Sequence, residues 1–353
     1  MLGRYHVSGK LGRVARIVLG LGSSHGPMLS IAPEYWPDRV LADRANPKHF
    51  YQGKIYSFNE MAALRCDEHL GAQASPEIRA ERYFRCQRAI VELGDIYAEN
   101  VPDVAVIVGN DQMEIFTAEH IPAFAIFWGD YVEGIPRTPE FLAKLPPGIA
   151  RAELDRTPSE YTRYPCDSEL GRHLIHSATV EGFDLAQMTR LPTGEIGSNA
   201  VPHAFGFIYR RVMRDRVPPQ VPVFVNTFYP PNQPTVARCF NLGRMLARAV
   251  AAWAPDRTAA FVASGGLSHF VVDESFDHAV LDAMVSGDAA ALAAFPESMF
   301  ESGTSEIKNW IVVAGAMAEA GLKMSLIDYV PCYRSEAGTG SGMGFAYWTK
   351  PRQ

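Results

Sequence analysis

Val104-Ala105-Val106-Ile107-Val108 runs directly into Gly109-Asn110-Asp111-Gln112-Met113-Glu114. An unbroken apolar run, mostly β-branched and ending in small and polar residues, is how a strand covered on both faces reads. A strand with one face in water would alternate instead. Three further runs share the pattern: Ile17-Val18-Leu19, Val221-Pro222-Val223-Phe224-Val225 and Ala260-Phe261-Val262-Ala263. Between them lie helical patterns. Glu77 to Glu99 carries Ile78, Phe84, Ile90, Val91 and Ile96 among charges. Thr235 to Trp253 is similar, and Ile307 to Ala320 is so uniformly apolar that it predicts a buried helix. Strands alternating with helices predict a layered α/β architecture. With no linker, charge block or repeat to divide it, the chain reads as one large domain over 16–353, behind a flexible tail at 1–15.

The 353 residues are 47% hydrophobic and 20% charged, far from the composition of disordered chains. A formal net charge of -6 supplies no basic field for a phosphate backbone, so nucleic acid is not an expected partner. The five cysteines include no CxxC pair, which predicts reduced thiols and a cytoplasmic location. The apolar stretch Ile17 to Leu21 is too short to span a bilayer, so no membrane association is expected.

In open α/β sheets ligands sit beyond the carboxyl ends of the strands. There the sequence places Ser23-Ser24-His25-Gly26-Pro27, Asn110-Asp111-Gln112, Asn226-Thr227-Phe228-Tyr229-Pro230-Pro231 and Gly265-Gly266-Leu267-Ser268-His269. His25 and His269 thus follow strands in Gly/Ser-rich loops, where small neighbours allow a ligand close to the backbone. Glu306 stands at the start of the most apolar helix, where a carboxylate is not kept without a partner. Taken alone, Glu306 also reads as a first-turn carboxylate compensating the helix dipole.

These segments, with Trp310 and Gly315-Ala316-Met317 after Glu306, resemble in order the catalytic subunit of protocatechuate 4,5-dioxygenase, a class III extradiol ring-cleaving enzyme, over about residues 17 to 320. Ser24-His25-Gly26-Pro27-Met28-Leu29, Asn110 to Glu114, Asn226 to Gln233 and Gly303 to Trp310 are closest to the 3-O-methylgallate branch. The resemblance implies an α/β/α sandwich around a mixed sheet, the fold of the extradiol dioxygenase catalytic chains. It also implies Fe(II) held by two histidines and a glutamate, O2 as co-substrate, and a catechol- or gallate-like aromatic acid of lignin-type catabolism as substrate. His25 and Glu306 match metal ligands, and His269 matches the histidine that takes the substrate's proton. Gln112, Asn226 and Tyr229 are expected to hydrogen-bond the substrate, and a homodimer is a possible assembly.

Two departures follow. The family's Asn-Asp-His reads Asn110-Asp111-Gln112 here, and an amide is a poorer ligand than imidazole. The second histidine ligand must come from His49, His69 or His203. His49 is favoured, because Asn46 to Tyr56 reads as a loop able to fold over the site. The family's Asp-His-Gly reads Glu195-Ile196-Gly197, which leaves His203 to replace its histidine as an acid/base group or substrate contact.

Overall fold

The computed structural model describes residues 15–253 and 256–351. The expected tail over 1–15 lies, apart from buried Ala15, outside the described residues. In chain order the strands are β1 (Arg16–Ser23), β2 (His49–Tyr51), β3 (Lys54–Tyr56), β4 (Val104–Gly109), β5 (Phe124–Phe127), β6 (Tyr131–Gly134), β7 (Thr162–Pro165), β8 (Ala186–Met188), β9 (Gln220–Val225), β10 (Thr258–Ser264), β11 (His269–Val271), β12 (Lys323–Tyr333) and β13 (Thr339–Thr349).

Nine of them form one sheet in the order β11-β13-β1-β10-β4-β9-β5-β8, with β12 paired to β13. The central strands β1, β10, β4 and β9 are parallel neighbours. β5 runs antiparallel to β9, and β13 runs antiparallel to β1, β11 and β12, so the sheet is mixed.

Strand β4 shows why two helical layers are needed. Val104, Val106 and Val108 face a core shared with the helices Ser168–Val180, Val236–Trp253 and Ile307–Ala320. Ala105 and Ile107 face the opposite core with Ala89, Ile90 and Leu93 of Pro76–Glu99. Burying one such Val or Ile side chain contributes about 1.5–3 kcal/mol, and both faces must be covered to collect it. The result is an α/β/α sandwich around a mixed sheet, as expected. Each of the four apolar runs is a central strand, and Ile307–Ala320 is buried from Ile307 through Met317.

Candidate active site

Because β1, β10, β4 and β9 are parallel, their carboxyl ends lie on one edge of the sheet. His25 follows β1, Gly266 follows β10, Gln112 follows β4 and Asn226 follows β9. Glu306 closes the 3-10 turn Ser302–Glu306 and leads into the helix Ile307–Ala320. His203 opens the short helix His203–Phe207, next to Pro202.

Three side chains converge. The ligand atoms of His25, His203 and Glu306 all lie within 4.8 Å of one another, and all three residues are buried. His25 Nε2 is 3.1 Å from His203 Nε2 and 3.3 Å from a Glu306 carboxylate oxygen. His269 Nε2 faces the same oxygen at 3.6 Å.

The hydrogen bonds behind the rings fix their tautomers. The Ser264 hydroxyl donates its one hydrogen to the Ala204 carbonyl at 2.6 Å, so it can only accept from His25 Nδ1, at 2.8 Å. His203 Nδ1 donates to the Glu114 carboxylate, whose other oxygen accepts the His203 backbone N–H at 3.0 Å. His269 Nδ1 donates to the Leu267 carbonyl at 2.8 Å. In its neutral form each of the three rings therefore presents an Nε2 lone pair. A carboxylate behind an imidazole, as Glu114 stands behind His203, is the usual support of a metal-bound histidine.

Glu306 is held as a carboxylate. Burial opposes its charge, but His25 and His269 keep it well below the usual carboxylate range. One oxygen accepts Asn110 Nδ2 and Gln112 Nε2, each at 3.1 Å, and the other accepts the Gly266 N–H at 2.8 Å. Asn309 Nδ2 donates to Asn110 Oδ1 at 3.1 Å, which turns the Asn110 amide toward Glu306. Burial lowers His25, whereas for His203 burial is outweighed by Glu114, which raises it. For His269 burial is likewise outweighed, chiefly by Glu306, and its pKa lies above the ordinary value.

His269 is packed face-on by glycines. A Cβ on Gly303 would lie 2.1 Å from His269 Cδ2, and one on Gly266 would lie 2.6 Å from its Nδ1. Its turn is pinned by Asp277, which accepts the Ser268 N–H at 2.7 Å, the Ser268 hydroxyl at 2.6 Å and the Tyr329 hydroxyl at 2.7 Å.

The cluster suits a divalent metal. With metal-to-ligand bonds of about 2.1 Å, neighbouring ligand atoms around one ion stand about 3.0–3.4 Å apart, which matches the 3.1 Å and 3.3 Å separations found. Two facing lone pairs and a buried anion need a cation between them. Two imidazoles and one carboxylate form the donor set of non-haem Fe(II) sites.

Of the three candidate second ligands, the structure brings His203, and not the favoured His49, beside His25 and Glu306. His49 sits in the β2–β3 hairpin with its Nε2 donating to the Asp43 carbonyl at 2.9 Å and its ring against Phe58. It is not part of the cluster among the described residues. His69 caps a 3-10 turn at the exposed surface. His203, which the sequence offered both as a candidate second ligand and as an acid/base group, is the imidazole that stands beside His25 and Glu306.

Gln112 lines the same cavity of 220 Å³ as His25, His203, His269 and Glu306. Asn226 and Tyr229 do not line it. The Asn226 amide is spent inside its own loop, donating to the Tyr229 carbonyl and the Asn232 side chain at 2.6 Å each and accepting the Tyr229 N–H at 2.9 Å. Glu114 escapes a reading of the sequence, although an acid two residues after Gln112 is its visible signal.

A sandwich that gathers two imidazoles and a carboxylate at its strand ends, with a third imidazole facing them, has the donor set to hold a metal ion. The family model described as the catalytic LigB subunit of aromatic ring-opening dioxygenase matches residues 86–339, more than half of the chain, and the chain belongs to that family. His25 lies before the matched residues, so its place in the site comes from the geometry. Among solved structures the chain is similar to an uncharacterized protein from Escherichia coli K12, at 12% identity over 93% of this chain and 99% of that one, with a TM-score of 0.45.

Proposed function

We propose that this chain is an Fe(II)-dependent extradiol dioxygenase that opens the ring of a catechol- or gallate-type aromatic acid, such as 3-O-methylgallate, gallate or protocatechuate, with O2. The observation that carries the reading is the convergence of the His25, His203 and Glu306 ligand atoms beside the unligated His269 on one cavity wall. His25, His203 and Glu306 would hold the metal. A metal held there would supply Lewis acidity toward a bound diol and a redox-active centre for O2.

The chain's own residues then have separate tasks. His269 accepts the hydroxyl proton at Nε2, since its Nδ1 hydrogen is committed to Leu267. Asn110, Gln112 and Gly266 keep Glu306 ionised and fixed through their N–H groups. Glu114 holds His203 with its Nε2 toward the site. Met28, Phe141, Leu145 and Ile149 give the ring an apolar wall that excludes water.

The cysteines are free, which fits a cytoplasmic enzyme, and no helix among the described residues is long and apolar enough to cross a membrane. The test is anaerobic Fe(II) loading followed by O2 uptake with the three acids and plain catechol. Stoichiometric uptake with a yellow ring-opened product is expected with at least one. No uptake with any of them sinks the proposal.

A further inference from the structure

Three guanidiniums, Arg39, Arg156 and Arg334, line the cavity, and two of them are held by carboxylates. Arg156 gives Nε to Glu153 at 2.8 Å and a second nitrogen to the same oxygen, while Arg137 Nε reaches the other Glu153 oxygen at 2.8 Å. Arg334 forks onto Asp43 with two bonds of 2.9 Å. The Thr339 hydroxyl adds a third donor to that carboxylate, at 2.8 Å. Arg156 and Arg334 are thus each committed to a carboxylate, while the other two carboxylates of the wall, Glu114 and Glu306, are engaged by His203 and by the His25–His203 cluster.

Arg39 is the one left over. It lines the cavity, yet among the described residues it makes no ion pair and no hydrogen bond. Burial lowers its pKa, and the nearby Arg334 and Arg156 push the same way against Asp43. Arg334 is itself incompletely satisfied. Its side chain is only 3% exposed, and its Nη1 meets just the Met28 thioether at 3.3 Å, a weak acceptor.

A half-buried guanidinium next to two others, with no anion of its own, is a costly arrangement unless a ligand supplies the anion. The planar fork of Arg is shaped for a carboxylate. The position suits a ring substrate as well. Arg39 lines the same cavity as His25, His203, His269 and Glu306.

We propose that Arg39, backed by Arg334, binds the carboxylate of the substrate and makes this cavity select aromatic acids over neutral catechols. For the identity of the bound ring this rests on the ring-cleavage reading; the anion site itself does not depend on it.

The test compares wild type with Arg39→Met and Arg39→Lys by calorimetry. One arm titrates the Fe(II)-loaded protein without O2, using 3,4-dihydroxybenzoate and catechol. The other uses benzoate and benzamide, which carry no diol. Wild type should favour each acid over its neutral partner by about ten-fold or more, the worth of one charge-assisted pair. Arg39→Met should reduce that preference to about two-fold or less while leaving catechol affinity in place, and Arg39→Lys should retain part of it. An unchanged preference in Arg39→Met, or none in wild type, overturns the proposal. If wild type discriminates benzoate from benzamide but consumes no O2 with any diol, the anion site stands and the ring-cleavage reading falls.

Discussion

His203 Nε2 faces His25 Nε2 at 3.1 Å, and both rings have already committed their Nδ1 hydrogens, to Glu114 and to Ser264. Two lone pairs cannot hydrogen-bond each other, so this contact is stable only with a cation between the rings or an extra proton on one of them. The buried Glu306 carboxylate beside them favours the metal, which balances its charge at the same point. His203→Ala should therefore lower Fe(II) affinity by at least about 100-fold, more than a lost supporting contact costs. His49→Ala should bind iron normally. Iron content after gel filtration, with a chelator competition, reads both. Full iron in His203→Ala would remove it from the ligand set.

Glu114 touches His203 and would act on a metal at this site only through that ring. Changing it to Gln keeps the size of the side chain but removes the charge behind Nδ1, and an outer partner of this kind is worth about 10–100-fold in metal affinity. Glu114→Gln should thus hold iron more weakly than wild type and more strongly than His203→Ala. Equal affinity to wild type would show that the carboxylate merely fills space.

His269 differs from the other two histidines in its position. It faces Glu306 at 3.6 Å but does not belong to the converging ligand group. His269→Gln is expected to keep its iron and its anaerobic affinity for a diol, while kcat falls by about 10²–10⁴-fold, the range for a lost acid/base group. Loss of iron instead would make His269 a ligand.

The legible part of this site is the part held by strand ends. His25, Gln112 and His269 each follow a short apolar run bounded by small and polar residues, the pattern of a buried strand, and Glu306 precedes the most apolar helix. His203 is harder to assign, because it enters through a Pro-flanked turn after a long irregular stretch, and only the folded chain shows that it reaches His25. Strand β13 is hidden for a related reason. Thr339-Gly340-Ser341-Gly342-Met343-Gly344 has no apolar run to mark a strand, yet a Cβ at Gly340 would lie 2.2 Å from the Cys332 carbonyl, so the glycine permits close strand pairing. The arginines of the cavity wall come from separate elements, with no shared spacing to reveal them.

Asp277 gives the fold a dependence on pH that can be read apart from activity. Burial pushes its carboxyl up to about 7, although the Ser268 and Tyr329 donors pull the other way. The unfolded chain releases that proton near the ordinary value of 3.8. Between these two values the folded protein binds the proton and the unfolded chain does not, so this contribution is full below about pH 4 and is lost as pH rises toward 7. Asp277→Asn carries no such proton. Its stability relative to wild type should increase by roughly 3 kcal/mol between about pH 5 and about pH 8. Urea unfolding of both metal-free proteins at the two pH values measures the difference. A constant offset between wild type and Asp277→Asn would mean that the three donors keep Asp277 ionised throughout, and that the turn before His269 is held by a buried charge instead of a neutral acid.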